Sequence, residues 1–141
     1  MPDTIFDRLV RMVEQRGVQF VIHEHMAMRT VADAEKYLSF DVARIVKTIV
    51  FRTRSGVLIL AALRGTARID YPRLAALIGV NRRDLVPLSP EEVLELLGVE
   101  PGSVSPLLLQ DDATVFIDDD VLTILPTIYC CLLYTSDAAD E

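Results

Sequence analysis

A lysine inside an apolar strand is the residue of this sequence best suited to chemistry. Lys47 lies in the run 45–52, IVKTIVFR, where alternation puts it on one strand face with Ile49 and Phe51, while Thr48 belongs to the other. Both faces are otherwise apolar. The ammonium must therefore extend past a sheet edge into water, or enter a pocket where an anionic or carbonyl-bearing ligand offsets its desolvation. Periodicity alone leaves both alternatives open.

The loop 102–106, GSVSP, is the second candidate site. Gly102 lets backbone N–H groups approach a ligand closely, and Pro106 restrains the path of the loop. The same residue types mark ordinary turns in many proteins, so the loop taken alone does not separate a binding site from a turn.

Two histidines share a face of the strand predicted over 18–25, VQFVIHEH. His23 and His25 could supply two zinc ligands, but zinc needs at least one further protein ligand, and no other residue is an obvious third. The acidic run 118–120 is typical of a solvated turn. We predict no metal and no cofactor, and a polar pocket contact for His25. G-x-S-x-G, P-loop and G-x-G-x-x-G motifs do not occur, which removes the main support for serine hydrolases, nucleotide hydrolases and Rossmann dehydrogenases.

Composition indicates one compact domain. The chain has 141 residues, of which 51% are hydrophobic and 25% charged, and a domain of this size needs no disulfide or metal to hold a core. Its two cysteines, Cys130 and Cys131, are adjacent, which favours a reducing compartment and a cytoplasmic protein. We expect no signal peptide and no membrane span, because the longest purely apolar run, 57–63, is far shorter than the roughly 20 residues that cross a bilayer.

Charge is divided unevenly along the chain. Residues 1–84 contain all 14 basic side chains and nine acidic ones, a net charge of +5, whereas residues 85–141 contain 12 acidic and no basic side chains, a net charge of −12. The overall charge of −7 therefore conceals a basic part that could meet a polyanion, although a solvated surface explains the same numbers.

Strand and helix patterns alternate along the sequence. A TRSG turn joins the apolar runs 45–52 and 57–63, which predicts a hairpin whose second strand lies in the centre of the sheet. Capping residues predict two helices, one beginning after Asp70 and ending at Gly79, the other beginning after Ser89 and ending at Gly98. Periodicity also predicts helices over 4–16 and 30–38, and strands over 18–25, 85–88, 113–118 and 122–129. This order predicts an α/β (α+β) fold, a single domain with a mixed, largely antiparallel sheet flanked by helices.

Several of these segments, in order, resemble the YbaK family, which includes the editing domain associated with prolyl-tRNA synthetase. The resemblance covers roughly residues 5–129 and is carried by FVIHEH, VKTIVF with Lys47, RLAALIGVNR, SPEEVLELLG, PGSVSP and VFIDDDVL. Its most specific elements are the lysine of the K-T strand and the G-x-x-x-P loop. We therefore expect a YbaK-like aminoacyl-tRNA editing domain over residues 1–129.

The resemblance implies a trans-acting deacylase that hydrolyses the ester of a mischarged tRNA, with alanine or cysteine on proline tRNA as the expected substrates. The reaction would be metal-independent, assisted by a ribose hydroxyl of the tRNA. Prolyl-tRNA synthetase would be a possible partner. By the same resemblance Lys47 would engage the terminal phosphate or ribose, and the Gly102 backbone would contact the ester. The implied substrate-binding residues are His25, Thr48, Ser103, Ser105 and Pro106.

The last twelve residues, 130–141, depart from the family pattern and resemble translated non-genic sequence appended to a truncated frame. We expect them to lie outside the fold. Two alternatives to the deacylase remain: a non-catalytic module of the same fold that binds tRNA or a small ligand, and a structural interaction domain without a pocket at Lys47.

Overall fold

A four-stranded mixed sheet forms the centre of the molecule. The computed structural model describes residues 5–22, 42–98, 104–105, 113–125 and 127–130. The strands are β1 (Val46–Thr53), β2 (Leu58–Arg64), β3 (Leu85–Pro87) and β4 (Ala113–Ile117). Their order across the sheet is β3-β1-β2-β4, and β1 pairs antiparallel with both β2 and β3, whereas β2 and β4 are parallel. The predicted hairpin, the central position of its second strand and the mixed α/β fold are confirmed.

The described helices are α1 (Ile5–Gln15), α2 (Tyr71–Ile78) and α3 (Pro90–Leu97). The last two begin and end where the capping residues predict. The Asp70 side chain accepts a hydrogen bond from the backbone N–H of Arg73 at the start of α2, and Ser89 forms a reciprocal capping box with Glu92 at the start of α3. Gly79 ends α2 in the left-handed conformation, with φ of 89°, which side chains other than glycine rarely adopt.

The two faces of the sheet are covered by different helices. One face, which we call the α2 face, packs Phe51, Ile59 and Ala61 against Leu74 and Ala75 of α2. Phe51 is completely buried, and burial of one such side chain contributes roughly 1.5–3 kcal/mol.

The opposite face, the α3 face, packs Val50 and Leu60 against Val93 of α3 and against Val104. Further along this face Val46 and Ala62 meet Val121 and Ile124, which follow β4, and Cys130 packs against the same cluster. Because side chains alternate along β1, its odd-numbered residues belong to the α2 face and its even-numbered residues to the α3 face.

Two predicted strands differ from the structure in their described residues. Residues 18–22, the described part of the strand predicted over 18–25, pair with none of the described strands, and the side chains of Val18, Phe20, Val21 and Ile22 are exposed. β-forming residues make a strand only where a neighbouring strand accepts their hydrogen bonds, and the described part of the chain offers this segment no such neighbour. The strand predicted over 122–129 is replaced by a 3₁₀ helix, Asp119–Thr123, capped by Asp118, and then by a single β-bridge between Ile45 and Tyr129.

Other predictions fall outside the described residues. The helix predicted over 30–38 and residues 23–25 belong to this group, and only Val104 and Ser105 of the candidate loop are described. Within the described ranges, no helix combines the length and apolarity that crossing a bilayer would need.

Candidate functional site

Lys47 lies at the beginning of β1, on the α2 face, and its ammonium is held by the backbone. Nζ of Lys47 donates a hydrogen bond of 2.6 Å to the carbonyl oxygen of Ala67. The side chain is half-buried, so the cation does not extend freely into bulk water. This position lies between the two alternatives left by periodicity: the amine is partly desolvated, yet accessible to a ligand.

The turn after β2 delivers the carbonyl that holds Lys47. Lys47 pairs with Leu63 across the hairpin, and the chain turns immediately after Arg64. The N–H of Gly65 donates to the carbonyl of Ile45 at 2.7 Å, and the N–H of Ala67 donates to that of Arg64 at 2.9 Å. These bonds bring Ala67 back over the beginning of β1.

Burial and a neighbouring cation lower the pKa of Lys47. Desolvation of the charged amine is the larger cause, and repulsion by the Arg68 guanidinium is the second. An ammonium has three N–H donors, and Ala67 accepts one of them. An anionic ligand at this position would relieve both unfavourable effects at once, since it would satisfy the remaining donors and offset the repulsion from Arg68.

Arg64 connects three elements around the start of β1. Its Nε donates to Asp120 Oδ2 at 2.7 Å, its Nη1 to the carbonyl of Ala43 at 2.7 Å, and its Nη2 to Thr123 Oγ1 at 3.1 Å. The end of β2, the 3₁₀ helix Val42–Arg44 that precedes β1 and the 3₁₀ helix after β4 are thereby held together.

Arg44 fixes the same region from the other side. Its guanidinium lies 5.0 Å from the ring centroid of Tyr129, donates to the hydroxyl of that ring at 3.1 Å and donates to Thr127 Oγ1 at 3.3 Å. Backbone bonds of 2.8 and 2.9 Å also join Tyr129 to Val46 and to Arg44. The segment leading to Lys47 is therefore anchored by the chain on both sides of it.

Arg64, Arg44 and Asp120 were missed by the sequence analysis. A charged residue that ends the long apolar run of β2 was an available signal for Arg64. No signal identified Asp120, because its pairing with Arg64 joins positions 56 residues apart. The acidic run 118–120 thus includes an ion-paired residue and a helix cap, in addition to solvated charge.

Thr48 lies on the α3 face, opposite Lys47. Its side chain is nine-tenths buried, and among the described residues its hydroxyl has no hydrogen-bond partner. Val104 packs on this same face, and Ser105 beside it is half-buried. Lys47 and Thr48, adjacent in sequence, therefore do not converge on one point.

The remaining candidates fall outside the described residues. Gly102, Ser103, Pro106 and His25 belong to this group, so the shared pocket of Lys47 and Gly102 stays a prediction. Among the residues described, no group of three histidine, cysteine or acidic side chains could hold a metal ion.

The mixed sheet with its flanking helices matches solved structures. The fold superposes on the hypothetical protein APE2540 with a TM-score of 0.76 at 23% identity, covering 88% of this chain and 81% of that one. It also superposes, with a TM-score of 0.64 at 27% identity, on a proposed trans-editing enzyme for prolyl tRNA synthetase, covering 88% of this chain and 78% of that one. The molecule is thus a single YbaK-like domain.

Sequence comparisons identify the family. The model of the aminoacyl-tRNA editing domain matches residues 25–132, which is most of the chain. The chain therefore belongs to the aminoacyl-tRNA editing domain family.

Individual relatives include both large ligases and a small protein. The chain is 27% identical over 101 residues to the proline--tRNA ligase of Brachyspira hyodysenteriae, covering 72% of the chain and 17% of the ligase. It is 36% identical over 89 residues to the uncharacterized protein YwhH of Bacillus subtilis, covering 63% of the chain and 55% of YwhH. The chain thus spans about half of YwhH and a small part of the ligase.

Proposed function

We propose that this domain is a trans-acting aminoacyl-tRNA deacylase, which hydrolyses the ester between a wrong amino acid and the terminal ribose of a tRNA. The observation that carries the proposal is the partly desolvated Lys47 ammonium, held 2.6 Å from the Ala67 carbonyl beside Arg68, in a chain of the editing-domain family. Such an amine favours an anion, and the 3′ end of a tRNA presents phosphate next to the reacting ester.

The reaction requires little from protein side chains. Water attacks the carbonyl carbon, the bond from that carbon to the ribose oxygen breaks, and the ribose hydroxyl recovers a proton, releasing the free amino acid and uncharged tRNA. An aminoacyl ester is already activated, so orientation and charge stabilisation supply much of the rate enhancement. Lys47 binds and orients the terminal phosphate or ribose. A neighbouring ribose hydroxyl helps position the water, and neither a side-chain nucleophile nor a metal takes part.

Within this proposal the substrate is proline tRNA carrying alanine or cysteine. Support comes from the proline--tRNA ligase relatives and from the structural neighbour proposed to edit for prolyl tRNA synthetase. A small pocket excludes larger side chains sterically more readily than it discriminates against smaller ones. Gly102 would contact the ester, and His25, Ser103, Ser105 and Pro106 would line the substrate site, whereas Thr48, buried on the α3 face opposite Lys47, would not take part. Prolyl-tRNA synthetase is the proposed partner, and the cytoplasm the proposed location.

Hydrolysis of charged tRNA tests the proposal. Proline tRNA carrying alanine, cysteine or proline is incubated with the protein, and loss of the ester is followed over time. We expect Ala- or Cys-tRNA to be cleaved and Pro-tRNA to be spared. Lys47→Ala should lower the rate on the order of a hundredfold, because it removes the cation that orients the substrate.

Arg54→Ala is the matched control for Lys47→Ala. It removes an exposed cation from the turn at the other end of β1, about 23 Å away at the usual rise per strand residue. At saturating tRNA its rate should remain that of the wild type. Lack of cleavage of all three esters, combined with salt-sensitive tRNA binding, would replace the deacylase by the non-catalytic binding module. A Lys47→Ala protein that folds and keeps the wild-type rate would remove Lys47 from the mechanism.

A further inference from the structure

The segments that cover the two faces of the sheet carry opposite charge. We call each face, together with the segments that cover it, a side of the molecule. The α3 side includes α3 and the segment 118–123, which together contain six acidic and no basic residues. The α2 side includes the segment 66–84, which contains four arginines and two aspartates. The opposite charges therefore lie on opposite sides of one sheet.

The four arginines of the α2 side are exposed, and none forms an ion pair with an acidic group among the described residues. They are Arg68, Arg73, Arg82 and Arg83. The two acidic residues of the segment have other contacts, since Asp70 caps α2 and Asp84 lies 3.8 Å from Arg54. The segment thus retains unneutralised positive charge. Arg52 and Arg64, which belong to the α3 face of the sheet, instead pair with Glu92 and Asp120.

Packing places these cations along the same side of the sheet as Lys47. The guanidinium of Arg82 lies 4.1 Å from the ring centroid of Tyr71, and this ring packs edge-on against Phe51 at 5.8 Å. Arg82 is therefore folded back over the start of α2. Arg68 directly follows Ala67, whose carbonyl holds the Lys47 ammonium. Positive charge thus extends from Lys47 across the N-terminal part of α2 to the 3₁₀ helix Arg82–Asp84, which follows α2.

We infer that the α2 side, through Arg68, Arg73, Arg82 and Arg83, is the docking surface for the sugar-phosphate backbone of the tRNA. The inference rests on the proposed function and assigns a surface to its substrate. Phosphates next to the 3′ terminus would follow the arginines once the terminal nucleotide reached Lys47, while the acidic α3 and the segment 118–123 would make no contact with the sugar-phosphate backbone.

Chemistry favours RNA over a protein partner. A guanidinium forms two parallel hydrogen bonds to a phosphate, and an array of exposed guanidiniums matches the repeating charge of a nucleic-acid backbone. A protein interface has an apolar centre that excludes water, whereas between residues 65 and 84 Leu77 is the one exposed large apolar side chain.

Binding of uncharged proline tRNA at several salt concentrations tests the inference without requiring hydrolysis. Each lost phosphate contact should reduce the slope of log affinity against log salt by roughly one. We expect Arg68→Gln, Arg73→Gln and Arg83→Gln each to produce this reduction. The triple variant should reduce the slope by about two to three and weaken binding at least about tenfold near physiological salt. Arg82 is left intact because its packing on Tyr71 links it to the fold.

Arg52→Gln is the matched control. It removes one half-exposed guanidinium from the α3 face and should leave the slope unchanged. Equal slopes for all four single variants would overturn the assigned surface. So would tighter binding of polyglutamate than of tRNA, because the surface would then select an acidic polypeptide.

Deacylation assays keep the two proposals distinguishable. If the wild type cleaves the ester and the triple variant keeps its KM and salt slope, the surface is wrong and the deacylase stands. If the slopes change as expected but no ester is cleaved, the surface stands and the deacylase fails. When both hold, the triple variant raises KM and keeps kcat, because its contacts are the same in the bound substrate and in the transition state.

Discussion

Lys47 and Ala67 form the central contact of the candidate site: a side-chain ammonium 2.6 Å from a backbone carbonyl supplied by the turn after the neighbouring strand. The contact orients a cation that desolvation and Arg68 both disfavour, and these two effects lower the pKa of Lys47. A cation held under these unfavourable conditions is better explained by a role in ligand binding than by a contribution to the stability of the fold. Substitution of Lys47 distinguishes these two roles.

Lys47→Met should leave the free energy of unfolding within about 1 kcal/mol of the wild type, because the lost hydrogen bond is offset by relief of desolvation and of repulsion from Arg68. Deacylation should fall strongly in the same protein. Urea unfolding and the ester assay measure the two quantities. A large loss of stability would instead make Lys47 a structural residue.

Lys47→Arg tests whether the site requires the compact charge of an ammonium. The guanidinium keeps the positive charge but is longer and planar, so this variant should not show full activity.

Thr48→Val should stabilise the protein by about 1 kcal/mol, because it replaces a buried hydroxyl that lacks a partner among the described residues by a methyl group of similar size. Thr53→Val is the matched control on the same strand. The Thr53 hydroxyl lies 2.9 Å from Ser55 Oγ and accepts from the N–H of Val57 at 3.1 Å, so its loss should destabilise. Denaturant midpoints compare the two variants. A destabilised Thr48→Val would show that this hydroxyl has a partner.

Asp120→Asn should weaken the connection between β2 and the 3₁₀ helix after β4, and the effect should depend on pH. Hydrogen bonding by Arg64 is the main cause that lowers the pKa of Asp120 in the folded protein. A carboxyl group whose pKa is lower in the folded protein than in the unfolded chain, where it is near 3.9, stabilises the fold at pH values above that unfolded pKa. This contribution is lost as the pH falls through the pKa of the folded protein. The Tm advantage of the wild type over Asp120→Asn should therefore be full at pH 6 and shrink toward pH 3.

The Asp120 contact is exposed, so a modest shift in Tm is expected. Asp119→Asn removes the same charge one residue earlier and serves as the control. An advantage of the wild type over Asp120→Asn that stays constant between pH 6 and pH 3 would contradict the role assigned to the Arg64 ion pair.

Ser89→Ala should cost about 1 kcal/mol, because the Ser89 hydroxyl accepts the Glu92 N–H at 3.2 Å in the capping box of α3. Glu92→Gln should cost less, since an amide oxygen can still accept the 3.0 Å bond from the Ser89 N–H. Thermal unfolding ranks the two variants. The reverse order would indicate that the Arg52–Glu92 ion pair, at 3.5 Å, matters more than the cap.

Truncation after Cys130 should leave Tm unchanged, as expected for a foreign C-terminal segment. Truncation after Thr123 should unfold the protein or lower its Tm strongly, because it removes Ile124 from a buried cluster and Tyr129 from its bridge to Ile45. If the protein truncated after Cys130 were less stable than the full chain, residues 131–141 would belong to the fold. The family match ends at residue 132, so the domain boundary at residue 129 stays a prediction.

Local signals determined much of the fold. Asp70, Ser89 and Gly79 specify helix ends through hydrogen bonds within a few residues and through a positive φ, so they can be recognised without knowledge of the rest of the chain. The hairpin around the TRSG turn and the buried β2 follow equally from local pattern. Residues 18–22 show the limit of this approach, because strand propensity does not specify a pairing partner.

For the site, the sequence by itself determined that Lys47 is an unusual cation on an apolar strand face, and order and spacing of motifs indicated the family. Tertiary structure alone decided that the cation contacts Ala67, that Thr48 lies on the opposite face, and that Arg64 reaches Asp120 across 56 residues. It also decided that the arginine-containing segment 66–84 covers one side of the sheet, while the acidic α3 and segment 118–123 cover the other. The physical reason is that strand alternation is a local property of the sequence. Contacts between distant segments depend instead on how the core packs, and the residues that decide this packing are spread over the whole chain.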